Sequence, residues 1–217
     1  MIRGILFDMD GTLLDSMYVW DDCAAMYLRR RGVEPPDDLN AQLATLSFSE
    51  GIAWLHDHYF PQESLEEIDH GVYLVIRDEY LYKAVLKPGA AEALAGLHAL
   101  GIPMAVTTSN DLDLTQAAFE RCGVLQYFQG VYTCRMAGAG KTKPDVYDMA
   151  LRAMGLEDRS SAAVVEDALY ALRTAKAAGY RTVGVPDPAG RDEWAALRQE
   201  ADVFISDLTE WRKILHD

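Results

Sequence analysis

Long apolar runs are missing from this chain. A membrane-spanning helix needs about 20 consecutive apolar residues, and no stretch comes near that length, so no spanning helix is expected. Cysteine is scarce too. Cys23, Cys122 and Cys134 are the only 3 in 217 residues, with neither the paired spacing of a metal site nor the even number of a disulfide framework. They read as free thiols of a reducing compartment. The N-terminal stretch has no charged-then-apolar leader, so the expected location is the cytoplasm. Positive charge is also short: 20 Lys and Arg face 34 Asp and Glu, a net charge of −14. Such a field repels nucleic acid and anionic membrane, so neither is an expected partner. It also repels phosphate, so any phosphate site here needs cations of its own. Between Gly32 and Ile76 there is no Lys or Arg at all. Repeats and low-complexity tracts are absent. What remains is a chain that is 50% hydrophobic, ample for a core, and long enough for one domain or one domain with an insertion.

The chemistry starts near the N-terminus. Ile5-Leu6-Phe7 is a short apolar run of the kind that forms a buried strand, and Asp8 and Asp10 follow it. Side chains two apart on extended backbone share a face, so the two carboxylates can enter one space while Met9 points away. Such a pair repels itself unless a cation or a shared proton intervenes. A hard divalent ion that prefers oxygen, Mg²⁺, is the natural partner. Gly11 supplies turn freedom, and the Thr12 hydroxyl can hold a neighbouring carboxylate. An acidic loop that merely caps a helix is the plainer reading of the same residues.

Downstream the pattern turns helical. Asp15 or Ser16 can cap a helix carrying Val19, Trp20, Cys23, Met26 and Tyr27, closed by Arg29-Arg30-Arg31 and Gly32. Pro35-Pro36 interrupts. Helical stretches follow near 39–46 and 51–59, and Ser64 with Glu67 forms a capping box ahead of Ile68, Val72, Val75, Ile76 and Tyr80. From Lys87 onward helix and strand alternate. Helices are expected over 90–100, up to Cys122, and over 146–154, 169–178, 191–199 and 208–215; strands over 104–107, 131–133, 163–165, 182–185 and 203–205. Alternation with short links predicts an α/β fold, a parallel sheet covered on both faces. Ligands of such sheets bind beyond the carboxyl ends of the strands. Asp8 and Asp10, Thr108 and Ser109, and Glu166 and Asp167 all lie at such ends.

Asp8-Met9-Asp10-Gly11-Thr12 after an apolar strand resembles the first motif of the haloacid dehalogenase superfamily, D-x-D-G-T. Thr108-Ser109-Asn110 is similar to the second motif, Lys143-Pro144 before a helix to the third, and Glu166-Asp167 after Val164-Val165 to the fourth, so the resemblance spans nearly the whole chain. The helical insert resembles the cap of the branch that holds β-phosphoglucomutase-like and phosphoglycolate phosphatase-like proteins. The resemblance implies a Rossmann-like, doubly wound core over 1–14 and 87–217, with a helical cap over 15–86. It implies a Mg²⁺-dependent phosphatase acting on a small phosphorylated metabolite, monomeric or weakly dimeric. In that scheme Asp8 is the nucleophile that forms an aspartyl-phosphate, and Asp10 is the general acid and base. Thr108 and Lys143 are catalytic, neutralising the phosphoryl oxygens, and Ser109 and Asn110 bind phosphate with them. Asp8, Asp10 (through its main-chain carbonyl), Glu166 and Asp167 surround the Mg²⁺.

Each segment has a plainer role as well. Asn110 or Asp111 would serve as an N-cap, and Glu166 and Asp167 as acids at a helix start. Gly140-Lys141-Thr142 mimics the end of a P-loop, but Arg135 stands where that motif needs Gly. Lys141 is therefore expected to be a solvated loop charge. Ala168 and Ala171 replace the Ser and Gly usual in the fourth motif. His56 and His58 are two apart in a helical pattern, where side chains diverge, so they make a poor metal site. Asp10 argues against a dehalogenase, which has no alkoxide to protonate, and a phosphonatase would need a cap lysine where only Lys83 exists, at the hinge end. A sugar-phosphate mutase is the alternative. It must grip a second phosphate, whereas residues 15–86 carry 5 basic residues against 14 acids, which suits a neutral or cationic leaving group better. A catalytically silent binding module on the same fold is a third reading, opposed by Asp8, Asp10, Lys143 and Asp167 all being present.

Overall fold

Strand-forming runs apolar on both faces belong inside a parallel sheet, and that is where the runs of this chain lie. In the computed structural model, which describes residues 2–215, the strands are β1 (Gly4–Phe7), β2 (Leu14–Asp15), β3 (Val85–Leu86), β4 (Met104–Thr108), β5 (Val131–Thr133), β6 (Ala162–Glu166), β7 (Arg181–Gly184) and β8 (Val203–Phe204). Six of them form one parallel sheet in the order β5-β4-β1-β6-β7-β8. Every residue of β1, β4 and β6 is buried. Phe7 lies level with Val106 on one side and Val165 on the other, so the residues that follow these strands emerge together at one edge.

The chain divides into two units, one made of the residues up to Asp15 and from Ala84 onward, the other Ser16–Lys83. The second unit is helical: α1 (Met17–Arg30), α2 (Leu39–Leu43), α3 (Phe48–Tyr59) and α4 (Leu65–Tyr82). Capping boxes start α4 at Ser64 and Glu67, as expected, and also α3 at Ser47 and Glu50. The first unit adds α5 (Ala90–Ala99), α6 (Leu112–Arg121), α7 (Cys134–Ala137), α8 (Asp145–Ala153), α9 (Leu169–Ala178) and α10 (Trp194–Glu200). Val146, Tyr147, Ala150 and Leu151 of α8 pack with Leu6, Ala105 and Val164 of the sheet.

Three local departures have physical causes. The C-terminal segment Leu208–Leu215 is a 3-10 helix, not an α-helix; its buried residues Leu208, Trp211 and Ile214 repeat every third position, the period of the tighter helix. The stretch expected to be helical from Arg191 begins as a 3-10 turn over Pro188–Glu193, where the Asp187 side chain accepts from the Ala189 amide. Finally, β2 and β3 pair antiparallel, Leu14 with Leu86 and Asp15 with Val85, where the chain leaves and re-enters the first unit. Two-residue strands are too short to leave a periodic pattern.

Candidate active site

After Phe7 the chain curls into a tight turn. The Asp8 amide still donates to the Val165 carbonyl at 3.0 Å, keeping Asp8 in line with the sheet. Gly11 then takes a φ of 80°, a conformation open to glycine. Its N–H donates to the Leu14 carbonyl at 3.0 Å, and the Leu13 and Leu14 amides both donate to the Met9 carbonyl at 2.9 Å. Met9 is fully buried.

Three carboxylates meet here. Asp8, Glu166 and Asp167 each place an oxygen within 4.8 Å of the others. Asp8 and Glu166 are 6% and 1% exposed. The Lys141 ammonium, itself buried, donates to Asp8 and, at 2.7 Å, to Glu166 Oε1. The Tyr147 hydroxyl donates to the same Glu166 oxygen at 2.8 Å, and the Thr12 hydroxyl donates to Asp167 Oδ1 at 3.2 Å. Burial penalises the ionised form of Glu166, and although Lys141 opposes this, its carboxyl is pushed up to about 8. Burial, with the nearby Asp8 charge, pushes Asp167 up to about 7. Burial works against the Lys141 ammonium, but Asp8 and Glu166 outweigh it and hold the lysine charged, above its ordinary range. Burial keeps the Tyr147 phenol protonated, reinforced by Glu166. The cluster offers oxygen donors only, and one cation for three acids. It could hold a hard divalent metal ion.

The Asp10 carboxylate is turned to another neighbour, accepting from Asn110 Nδ2 at 3.1 Å. Asn110 is buried and locked: its Oδ1 accepts from the Asp111 amide at 2.8 Å, and its own amide donates to Thr108 Oγ1 at 3.0 Å. Thr108 is buried at the end of β4, while Ser109 is exposed, its hydroxyl 3.5 Å from Cys134 Sγ. Asp8, Asp10, Thr108, Asn110, Glu166 and Asp167 thus gather at one sheet edge. The acidic cluster takes in Asp8, Glu166 and Asp167, not the side chain of Asp10.

Lys143 is a correction. It is exposed, whereas Lys141, expected to be the solvated one, enters the carboxylate cluster. The reason is a turn in which the Lys143 amide donates to the Gly140 carbonyl at 3.0 Å, followed by α8 with Pro144 at its N-cap. The Lys-Pro adjacency marks the helix start and not the inward lysine. The one sequence signal for Lys141 was the Gly140-Lys141-Thr142 string, set aside together with the P-loop. Tyr147 was missed, since it reads simply as an apolar position of α8. His56 and His58 do diverge: His58 stacks on Trp54 and its Nδ1 contacts the Trp54 carbonyl at 2.8 Å, while His56 Nδ1 lies 2.7 Å from Asp57. Among the described residues no helix is long and apolar enough to cross a membrane.

Comparison with known proteins places this geometry in context. A family model described as haloacid dehalogenase-like hydrolase matches residues 2–179. The chain is 32% identical over 216 residues to a validoxylamine A 7'-phosphate phosphatase of Streptomyces hygroscopicus subsp. limoneus, covering 98% of this chain and 97% of that protein. It is 29% identical over 192 residues to hexitol phosphatase A of Escherichia coli, covering 86% and 84%. The crystal structure of a putative beta-phosphoglucomutase from Thermotoga maritima shares the fold, with a TM-score of 0.85 at 23% identity over 99% of this chain and 98% of that one. That of CbbY from Rhodobacter sphaeroides in complex with phosphate has a TM-score of 0.75 at 26% identity, covering 97% and 96%.

Proposed function

The chain belongs to the haloacid dehalogenase-like hydrolase family and is a phosphatase, and on that premise we propose that it hydrolyses a small-molecule phosphate monoester, with Mg²⁺, through an aspartyl-phosphate on Asp8. The observation that carries this reading is the buried Asp8 carboxylate, gripped by Lys141 beside Glu166 and Asp167. Asp8 attacks phosphorus and the bond to the leaving oxygen breaks. Asp10, oriented by Asn110, hands its proton to that oxygen. It then takes a proton from the water that attacks the phosphoryl group, and the phosphorus–Asp8 bond breaks to release inorganic phosphate. Lys141, in the role expected of Lys143, opposes the charge of the phosphoryl oxygens. The Thr108 hydroxyl, which accepts from the Asn110 amide, still has its proton to donate to them. Asp8, Glu166, Asp167 and the main-chain carbonyl of Asp10 would hold the Mg²⁺, which supplies charge neutralisation in phosphoryl transfer.

The unit Ser16–Lys83 serves in this reading as the cap, and its charges favour water over a second sugar phosphate as acceptor. Each of its five basic residues already faces a carboxylate: Arg29 with Glu34 at 4.0 Å, Arg30 and Arg77 with Asp78 at 2.8 Å each, Arg31 with Glu63 at 2.5 Å and Lys83 with Glu79 at 2.7 Å. A cavity of about 640 Å³ within this unit is lined by Trp20, Leu43, Leu46 and Phe48 beside Asp21 and Asn40, and by no Lys or Arg. The acidic balance of residues 15–86, 5 basic residues against 14 acids, suits a neutral or cationic leaving group better than a second phosphate. Relatives named hexitol phosphatase and phosphorylated carbohydrates phosphatase are consistent with that class.

Asp8→Asn should lower Mg²⁺-dependent turnover of p-nitrophenyl phosphate by several orders of magnitude, because the covalent route is lost; a loss under tenfold refutes the reading. β-Glucose 1-phosphate supplied with a trace of the bisphosphate distinguishes the alternative. Inorganic phosphate is the expected product, and glucose 6-phosphate forming faster would establish the mutase.

A further inference from the structure

Lys87 stands outside the carboxylate cluster, just after β3, and is the most heavily engaged lysine beyond it. Its side chain is 12% exposed. The ammonium donates to the Gly11 carbonyl at 2.6 Å, to the Pro186 carbonyl at 3.2 Å and to Asp187 Oδ2 at 2.8 Å. Its own amide donates to the Leu13 carbonyl at 2.9 Å. Asp187, 3% exposed, is held in turn: Oδ1 accepts from the Ala189 amide at 3.0 Å and its carbonyl accepts from Trp194 Nε1 at 2.8 Å.

A buried ion pair is weak evidence for stability, since well-packed apolar side chains often serve the fold as well. What a pair supplies is direction, and this one is aimed at two main-chain carbonyls, those of Gly11 and Pro186, with the shorter bond to Gly11. Gly11 lies between Asp10, whose carboxylate meets Asn110, and Thr12, whose hydroxyl meets Asp167. The Gly11 N–H is already committed to the Leu14 carbonyl, so Lys87 pins the other half of the residue. Glycine has more backbone freedom than any other residue. Released, it would let the side chains before and after it drift, and a misplacement of about 1 Å can cost roughly 100-fold in rate.

We infer that Lys87, anchored by Asp187, is a positioning residue: it fixes the Gly11 peptide so that Asp10 and Thr12 reach their partners. The consequence for rate rests on the phosphatase reading; the grip on the turn does not. Lys87→Met alone would strand Asp187 without a counter-charge and could unfold the protein for that reason, so the test uses the double variant Lys87→Met/Asp187→Asn, compared with wild type well below its melting temperature. Amide hydrogen exchange across residues 10–14 should quicken by about tenfold or more while β4 and β6 keep their protection. With p-nitrophenyl phosphate and Mg²⁺, kcat should fall about 10- to 100-fold while KM stays within about threefold. Unchanged exchange at 10–14 overturns the proposal, as does exchange that quickens equally throughout the sheet, which would mark a merely structural pair. A loosened turn with kcat within threefold of wild type overturns the catalytic part. Wild-type protein inactive on every phosphate monoester would overturn the phosphatase reading instead, and the exchange result would still decide whether Lys87 holds the turn.

Discussion

Lys141→Met replaces the ammonium between Asp8 and Glu166 with a side chain of similar reach and no charge. Two carboxylates, 6% and 1% exposed, then lie together without their shared cation. Removing one partner of a buried pair costs about 3–5 kcal/mol when the other charge stays behind. Glu166, already pushed up to about 8, can take a proton and relieve part of this, so the lower end, roughly 3 kcal/mol at pH 7, is expected. At roughly 2–4 °C per kcal/mol for a chain of this size, that is a fall of about 6–12 °C in Tm. Turnover should drop further than stability suggests. Losing one preorganised donor to a developing anion costs about 100- to 1,000-fold in kcat. Lys143→Met is the control: the residue is exposed, so a change within about 0.5 kcal/mol is expected, with turnover little altered. Circular dichroism melts in EDTA and steady-state hydrolysis of p-nitrophenyl phosphate with Mg²⁺ read the two effects separately. If Lys143→Met loses more turnover than Lys141→Met, or if Lys141→Met keeps its turnover within tenfold and its Tm within a few degrees, the assignment of the cation is refuted.

Two further outcomes follow from the same cluster. Tyr147→Phe removes a buried donor from Glu166 and should cost about 1–3 kcal/mol; an unshifted urea midpoint would show that the bond contributes nothing. Glu166 and Asp167 are held up at about 8 and about 7, above unfolded values of roughly 4, so in metal-free protein each binds its proton more tightly folded than unfolded. The stability they contribute is full below about pH 4 and is lost as pH rises through 7 to 8. Tm in EDTA should therefore fall from pH 5 to pH 8, and Mg²⁺ should raise it most at the alkaline end, where the carboxylates are ionised. A Tm that climbs with pH in EDTA, or a larger Mg²⁺ effect at pH 5, contradicts this.

Local order was readable from the chain because it depends on neighbours in sequence. Ile5-Leu6-Phe7, Met104–Thr107 and Ala163–Val165 are unbroken runs since β1, β4 and β6 are covered on both faces. α9 starts at Leu169 and stops where Gly179 turns with a φ of 96°. Strand ends followed by acids or hydroxyls marked Asp8, Asp10, Thr108, Ser109, Glu166 and Asp167, and the rule that open sheets work at their carboxyl edge put them at one address; of these Ser109 is exposed. Shorter or subtler features escaped: the two-residue strands β2 and β3, and the three-residue period at Leu208–Leu215, close to 3.6 over so short a span.

The α/β core, the helical insertion and an acidic site were therefore legible from the order of residues alone. Which cation completes that site was a matter for the tertiary structure. Lys141 and Lys143 are chemically the same residue two positions apart, and a single turn, closed by the Lys143 amide on the Gly140 carbonyl, sends one inward and leaves the other in water. The partners that hold the site lie far off along the chain: Lys141 is 133 residues from Asp8, Tyr147 is 19 from Glu166, and Lys87 is 76 from Gly11. Charge pairing acts through space at a few ångströms and is blind to separation in sequence, so no local pattern records it until the chain has folded.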